Sequence, residues 1–457
     1  MPDFKMIRWS DDMGHTHSPV TAPVGLVRAI GRWSLVALVI NSIIGSGIFG
    51  LPDDIIARVG NAAPWAYVIA AIGMGLIMAS FAEVASQFRE AGGPYLYARA
   101  TFGRLVGVEM GWFAYLVRVT SAAANASLFV VYLGQFWPGA NAAGPRAAIL
   151  AALTGLFAVI NVRGVSGSAR VSDVFAVAKV LPIALFAGAG LWMVGSNLHV
   201  SGSSAPAGDW LQAVLALVFA FGGFEAAMMP MAEVKDPRRD APFALFTGLA
   251  VVALAYVAVQ LVVMGAFTDP AAFARPEVRD RPVAEAARVF MGGAGASLIA
   301  ALVMCSTYGN LALQFLAAPR LLFALGERGD FPRVLATVHP RYRTPWIAVL
   351  VHATLVCVFA IAGSFIWNAI LSAVARLVTY AVVCAAVPVL RRRHPEASRL
   401  RLPGGWALPF VGLAFCLVLI SQMQTAHAWI AAVVTLGAVA NWWWARAKTP
   451  GGGRQDA

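Results

Sequence analysis

Long apolar stretches, separated by short polar or glycine-containing segments, run through the chain between residues 33 and 446. A helix needs about 20 mostly apolar residues to cross the hydrocarbon core of a lipid bilayer. The pattern therefore predicts twelve membrane-spanning helices, with two long apolar runs divided at 363–364 and near 422–427. The predicted spans are residues 33–58, 62–86, 104–136, 146–163, 171–195, 210–233, 241–267, 288–325, 344–362, 366–390, 405–423 and 428–446.

The composition agrees with this pattern. Hydrophobic residues make up 60% of the 457 residues and charged residues only 12%, whereas soluble domains carry about 25% charged residues. This combination excludes a soluble globular enzyme, a disordered chain and a fibrous protein. All four cysteines lie inside apolar runs, so neither a disulfide framework nor a metal site is expected. The predicted fold class is an all-α polytopic membrane protein.

The distribution of Lys and Arg predicts the orientation of the spans. With the N-terminus in the cytoplasm, 25 of the 34 Lys and Arg residues fall in or beside cytoplasmic segments and six beside external ones. The remaining three, Arg118, Lys179 and Arg376, lie within spans. Cytoplasmic loops are enriched in Lys and Arg, so we expect both termini in the cytoplasm and the protein in the cell membrane. This distribution accounts for the net charge of +12 without nucleic acid.

Glycines interrupt the first and the sixth predicted spans near mid-membrane. The first span contains Gly45-Ser46-Gly47, and the sixth contains Gly222-Gly223 followed by Glu225. Glycine inside a helix costs about 1 kcal/mol relative to alanine, and one such site alone is typical of close helix packing. Interruptions at corresponding positions of two halves of a chain instead indicate a transporter binding site. Two five-span repeats would begin at these spans, so we expect unwound backbone in both.

Unwound backbone offers polar groups of both signs to a ligand. An interrupted helix has free N–H groups and the positive end of a helix dipole, which suit a carboxylate. The carbonyls released at the same interruption suit an ammonium group. An α-amino acid carries both groups on one carbon, so the pattern indicates this class of ligand.

Four motifs occur in order along the chain. They are Gly45-Ser46-Gly47-Ile48-Phe49, Lys179-Val180-Leu181-Pro182, Phe219-Ala220-Phe221-Gly222-Gly223-Phe224-Glu225 with the following residues 233–239, and residues 318–332. Between about residues 25 and 445 the chain resembles the amino acid–polyamine–organocation (APC) superfamily. The resemblance implies a LeuT-type fold with twelve transmembrane helices, of which the first and sixth are broken. It implies inverted five-helix repeats at 33–195 and 210–390, two additional helices at 405–446, and cytoplasmic tails at 1–32 and 447–457.

The resemblance also implies the roles of individual residues. The substrate carboxylate is expected at the amides of Gly45, Ser46 and Gly47. The substrate ammonium is expected at the carbonyls of Ile43, Phe219, Ala220 and Gly222. Phe219 is also expected to cover the substrate as a gate.

Ionisable residues inside the spans are candidates for coupling, because a charge at membrane depth is expensive. The resemblance implies that Lys179 takes the place of the sodium ion of sodium-coupled relatives, and therefore that transport is sodium-independent. Lys179 is then either a fixed cation or a proton carrier, unless its side chain reaches the cytoplasmic face. Glu225 is either a proton-coupling or cation-selecting group, or a carboxylate that accepts orphan N–H groups. Arg118 and Arg376 are expected to form interior ion pairs or hydrogen bonds to carbonyls.

The function predicted from the sequence is sodium-independent, proton-coupled uptake of neutral amino acids. The neutral class is indicated by Phe219, Phe221 and Phe224, and by the methionines that follow them. Exchange of amino acids or polyamines on the same fold is the alternative, and a sensor that binds without transport is a remote one. The protein is expected to act in the lipid bilayer as a monomer or homodimer, without catalytic residues, a metal or another cofactor.

Overall fold

The computed structural model describes residues 30–88, 93–164, 183–228, 233–267, 272–273, 275–393 and 405–447. Within these ranges the regular structure is helical, apart from one isolated bridge in which Ile30 pairs with Val234. The α-helices are α1 (Arg32–Ile43), α2 (Gly47–Gly50), α3 (Pro52–Val59), α4 (Ala63–Ala85), α5 (Gly93–Phe102), α6 (Arg104–Leu133), α7 (Ala143–Arg163), α8 (Ile183–Val194), α9 (Ala207–Phe221), α10 (Phe224–Ala227), α11 (Pro237–Ala266), α12 (Pro276–Asp280), α13 (Pro282–Glu327), α14 (Trp346–Ala362), α15 (Phe365–Arg393), α16 (Ala407–Ile420) and α17 (Thr425–Ala447). Short 3₁₀ turns cover Gly60–Ala62, Pro138–Asn141, Gly195–Asn197 and Arg333–Ala336.

Several of these helices are suited to a bilayer. Seven helical stretches in the described ranges are long and apolar enough to cross a membrane, and two of them join adjacent segments, α3 with α4 and α9 with α10. The number is eight if α16 and α17, bent by 116°, form one span. The chain is therefore a polytopic helical membrane protein. Each of the twelve predicted spans overlaps a described helix, but α1, α8 and α14 are shorter than a full span. The number of twelve stays a prediction.

The first and sixth predicted spans are interrupted where their glycines indicated. α1 ends at Ile43, the next residue is extended, and α2 begins at Gly47. α9 ends at Phe221 and α10 begins at Phe224. Between them Gly222 is extended and Gly223 has a φ of +113°, in the left-handed region. Each span is thus divided into helical segments by a few residues of non-helical backbone.

The interrupted helices lie inside a shell of continuous ones. α1 packs on α11 and α9 packs on α4, while α6 packs on both α13 and α15. The ring of Phe81 on α4 contacts the rings of Phe224 and Tyr380 edge-on, at centroid distances of 5.0 and 5.4 Å. Aromatic pairs favour this geometry. It fixes the segment after the second interruption between α4 and α15.

The two predicted divisions of long apolar runs are also present. α14 ends at Ala362 and α15 begins at Phe365. α16 ends at Ile420 and α17 begins at Thr425. The sequence analysis did not predict α5, which connects α4 to α6.

α5 takes part in a cluster around one buried carboxylate. Asp330, in the segment after α13, is ion-paired to Arg99 at 2.9 Å and to Arg104 at 3.0 Å. The hydroxyl of Tyr95 donates a hydrogen bond to the same carboxylate. Burial, together with this hydrogen bond to Asp330, raises the pKa of Tyr95. Tyr95 therefore stays protonated at neutral pH, and the cluster ties α5 and α6 to the end of α13.

Replacing Asp330 with asparagine should lower the melting temperature of the detergent-solubilised protein, because Arg99 and Arg104 lose the carboxylate they share. Breaking a buried ion pair costs about 3–5 kcal/mol, and we expect the low end because both arginines are partly exposed. Asp236 is exposed and makes no side-chain cap hydrogen bond at the start of α11, so Asp236→Asn is the control. Equal melting temperatures for the two variants would contradict this account.

Candidate functional site

A cavity of about 380 Å³ lies where the two interrupted helices meet. Its wall is formed by both interruptions and by residues of α6, α13 and α15. Its size falls within the range of small-ligand sites, about 300–1,000 Å³. Its polar side chains are those of Asn41, Ser42, Ser46, Arg118, Ser121, Asn125, Glu225, Asn310, Gln314, Arg376 and Thr379.

The residues proposed from the sequence to bind substrate are brought together in this cavity. Ile43, Gly45, Ser46, Gly47, Phe219, Ala220 and Gly222 all line it, as does Glu225. Residues separated by about 175 positions in the chain thus share one wall. Lys179, the predicted coupling lysine, lies outside the described residues.

Glycines allow the two interruptions to touch. A methyl group on Gly47 would lie 2.8 Å from the Cα and Cβ atoms of Ala220. A methyl group on Gly223 would collide with the carbonyl oxygen of Ser42, and the positive φ of Gly223 is itself unfavourable for other residues. Each interruption therefore contacts the helix that precedes the other, and side chains at these two positions would separate them.

A tyrosine on α11 connects the carbonyls released at both interruptions. The hydroxyl of Tyr256 lies 3.3 Å from the carbonyl oxygen of Ile43 and 3.0 Å from that of Ala220. A hydroxyl has one proton to donate, whereas each carbonyl oxygen has two lone pairs. Both carbonyls therefore keep the capacity to accept from a ligand. The sequence signal for this contact was a tyrosine in an apolar span without charged residues, because a buried tyrosine hydroxyl usually has a hydrogen-bond partner.

Two polar atoms beside the first interruption lack a partner. The Oγ atom of Ser46 and the Oδ1 atom of Asn41 are buried and accept or donate no hydrogen bond among the described residues. Ser46 is only 1% exposed. Buried polar groups in native proteins normally have partners, and both residues line the cavity. These atoms are available to a polar ligand.

Glu225 is held from three directions. Its carboxylate is ion-paired to Arg376 at 2.5 Å, accepts a hydrogen bond from the Tyr380 hydroxyl at 3.0 Å, and accepts one from the Gly223 amide at 2.9 Å. The Arg376 side chain passes over Gly222, where a methyl group would lie 2.8 Å from its Cδ atom. The interior ion pair expected for Arg376 is thus confirmed, and Glu225 does accept an N–H group released by the interruption.

Amide side chains form a second polar group that the sequence analysis missed. Asn310 on α13 donates to the Oδ1 atom of Asn125 on α6 at 3.2 Å. A Cβ atom added to Gly45 would lie 3.5 Å from the Nδ2 atom of Asn310. Asparagine inside a membrane span was the sequence signal, because polar residues there tend to face the bundle interior. The pair fixes α6 to α13 beside the first interruption.

Phe219 lines the cavity. Its ring packs edge-on against Phe365 at the start of α15, with centroids 6.0 Å apart, and it is 7% exposed. The cavity wall also includes Leu38 of α1 and Pro94 of α5. Phe219, which was predicted to act as a gate, therefore lies in the cavity wall and packs on α15.

Comparison with known proteins gives a consistent result over most of the chain. Residues 30–445 match the family model described as amino acid permease. The chain is 27% identical to the branched-chain amino acid permease BcaP of Bacillus subtilis over 427 residues, which cover 87% of this chain and 88% of that protein. It is 29% identical to the methylthioribose transporter of the same organism, over 86% and 87% of the two chains. It is 27% identical to the serine/threonine exchanger SteT of that organism, over 82% and 86%.

Replacing Gly47 with leucine should abolish ligand binding while leaving the protein inserted in the membrane, because any side chain at this position meets Ala220. Gly155 on α7 is exposed, and a methyl group there would have no atom within 4 Å, so Gly155→Leu is the matched control. Membrane content and transport of both variants are the measurements. Normal transport by Gly47→Leu would contradict the site.

Removing one member of the Glu225–Arg376 pair should destabilise the protein more than removing both. Glu225→Gln or Arg376→Gln leaves a buried charge without its partner, at a cost of about 3–5 kcal/mol. The double variant removes both charges. Melting temperatures in detergent test this, with Arg32→Gln as control because Arg32 is 42% exposed in its pair with Asp240. The pairing would be contradicted if the melting temperature of the double variant were no higher than that of the less stable single variant.

Proposed function

Because the chain belongs to the amino acid permease family, we propose that it is a secondary active transporter of α-amino acids that works by alternating access. The observation that carries the proposal is the convergence of residues from both interruptions on one cavity. The proposed membrane is the cell membrane, with both termini in the cytoplasm. In that orientation α15 begins at the external side, so Phe219, whose ring packs on Phe365, is assigned to an external gate.

The amino acid's two α-substituents bind the two kinds of free backbone group. In the described part of the chain, no backbone carbonyl accepts a hydrogen bond from the amides of Ser46 and Gly47. These amides and the unpartnered Oγ atom of Ser46 bind the α-carboxylate, with Gly45 beside them. The carbonyls of Ile43 and Ala220, which share only the single proton of Tyr256, accept from the ammonium, as do those of Phe219 and Gly222.

The proposed architecture is the LeuT-type fold with twelve transmembrane helices and two inverted repeats. Helix packing supports it. The first helix of each proposed repeat packs on the second helix of the other repeat: α1 on α11, and α9 on α4. Such exchange is expected of two repeats related by a pseudo-two-fold axis in the membrane plane.

Transport is proposed to be sodium-independent and coupled to protons through Lys179. Glu225 is assigned a positioning role instead, because Arg376, Tyr380 and the Gly223 amide already bind its carboxylate. Amino acid exchange is the alternative mode. A polyamine is less well supported as substrate, since it needs a free acidic group and the described cavity wall offers none apart from the paired Glu225.

Uptake by proteoliposomes tests this proposal. Labelled amino acids of several classes and putrescine are offered in sodium-free buffer, with and without an inward proton gradient, to the wild-type protein and to Lys179→Ala. We expect gradient-dependent uptake of amino acids that the variant loses. Replacement of sodium by potassium should leave the rate unchanged.

Other results discriminate between the alternatives. Uptake only into liposomes preloaded with amino acid identifies an exchanger. Uptake of putrescine alone identifies a polyamine carrier and contradicts the amino acid assignment. Amino acid binding without uptake under any gradient contradicts transport and favours a sensor.

A further inference from the structure

Arg118 lies in the middle of α6 and lines the cavity. It is the fifteenth of the helix's 30 residues, so it sits about 20 Å from the start of a helix that rises about 1.5 Å per residue. The interior ion pair or carbonyl bond expected for it is not found. Its guanidinium makes no hydrogen bond and no ion pair with any residue in the described part of the chain.

Other arginines of this protein differ sharply from Arg118. Arg376 is paired with Glu225. Arg146 donates to the carbonyl oxygens of Ala360, Ile361 and Gly363 at 2.8, 3.3 and 2.9 Å. Those two arginines have the partners of structural residues. Arg118 instead lines the cavity with a guanidinium whose five N–H donors bond to no described residue.

The charges around the cavity do not cancel. Among the described lining residues, the charged ones are Arg118, Glu225 and Arg376. Glu225 and Arg376 both act electrostatically on Arg118, with opposite signs, and they are paired with each other. The described part of the cavity wall therefore carries one net positive charge, which is expensive at membrane depth unless an anion neutralises it.

The position of Arg118 relative to the interruptions indicates which part of a ligand it meets. Asn125 follows it by seven residues on the same helix and lies about 10 Å further along the axis. Asn125 is bonded to Asn310, which lies beside Gly45. The long side chain of Arg118 closes part of that separation. The interruptions, Ser121 and Arg118 line the same cavity, so a ligand whose α-substituents occupy the interruptions has room to extend its side chain along α6 to Arg118.

We propose that Arg118 binds a carboxylate on the substrate's side chain, so that the transported amino acids are dicarboxylic, as aspartate and glutamate are. This inference rests on the proposed function. A zwitterionic α-carbon adds no net charge, and the second carboxylate supplies the missing negative one. The prediction of neutral amino acid substrates rested in part on Phe219, Phe221 and Phe224. Of these three, Phe221 and Phe224 are fully buried and only Phe219 lines the cavity.

Matched pairs of ligands test the inference without any variant. Glutamate and glutamine have nearly the same size and differ by one charge, as do aspartate and asparagine. In competition for uptake, and in thermal stabilisation of the detergent-solubilised protein, the wild-type should favour the acidic member at least about tenfold, since hydrogen bonds to charged groups are among the strong ones. A preference for glutamine and asparagine overturns the inference.

Variants then assign the preference to one residue. Arg118→Gln should weaken glutamate at least about tenfold and change glutamine by less than about threefold, while Arg118→Lys keeps part of the preference. Arg320→Gln on α13 is the control, because Arg320 is exposed, lies outside the cavity and donates to the Leu316 carbonyl. Equal losses for glutamate and glutamine in Arg118→Gln would identify a structural arginine and overturn the inference.

Two further outcomes separate this inference from the proposed function. If the wild-type binds and transports neutral amino acids only, the function stands and the role of Arg118 falls. If it binds no amino acid at all, both fall. The assays are repeated with chloride replaced by gluconate. Stabilisation by chloride that Arg118→Gln abolishes, without preference for glutamate, assigns Arg118 to an inorganic anion and also overturns the inference.

Discussion

A backbone group inside a bilayer has no water to bond, so unwound backbone at membrane depth is possible only where protein or a cavity surrounds it. The segments that interrupt the first and the sixth predicted spans are of this kind, and they depend on each other. The segment after Ile43 is packed against Ala220, and the segment at Gly223 is packed against Ser42. Tyr256 bridges the carbonyls that both release. The surrounding helices hold these four contacts together, and the backbone groups left over face the cavity.

The charged side chains beside the interruptions are subject to the same lack of water at membrane depth. A carboxylate introduced beside an interruption is expensive at this depth, and Glu225 offsets that cost by binding the Gly223 amide, Arg376 and Tyr380 at once. The result joins α10 to α15 and leaves Glu225 little freedom to select a cationic ligand. Arg118 is the counterpart without a described partner. The same cost of a charge at membrane depth is the basis of the proposal that Arg118 is a recognition group.

The substrate class expected for such a site depends on which side chains line the cavity, and not on which residues are near it in the sequence. The aromatic residues around the second interruption favoured apolar, neutral substrates as long as each was counted as part of the pocket. Phe221 instead packs on Tyr256 in the core, and Phe224 packs on Phe81 and Tyr380. The described lining consists of aliphatic side chains, Phe219, amides, hydroxyls, the paired Glu225 and Arg376, and the guanidinium of Arg118. Substrate chemistry is therefore read from the side chains that reach the cavity, and from their charge balance.

The sequence by itself determined the helical membrane class, the family and the positions of the two interruptions, because apolar length and mid-span glycine are local properties of the chain. It also identified seven residues that line the cavity, through motifs that surround the glycines. It could not identify the partner of Arg376, the absence of a described partner for Arg118, the bridging role of Tyr256 or the cluster that joins α5 to Asp330. Each of these depends on which residues distant in the chain come within about 3 Å of one another, and only the packing of α6, α11, α13 and α15 around the interruptions decides that.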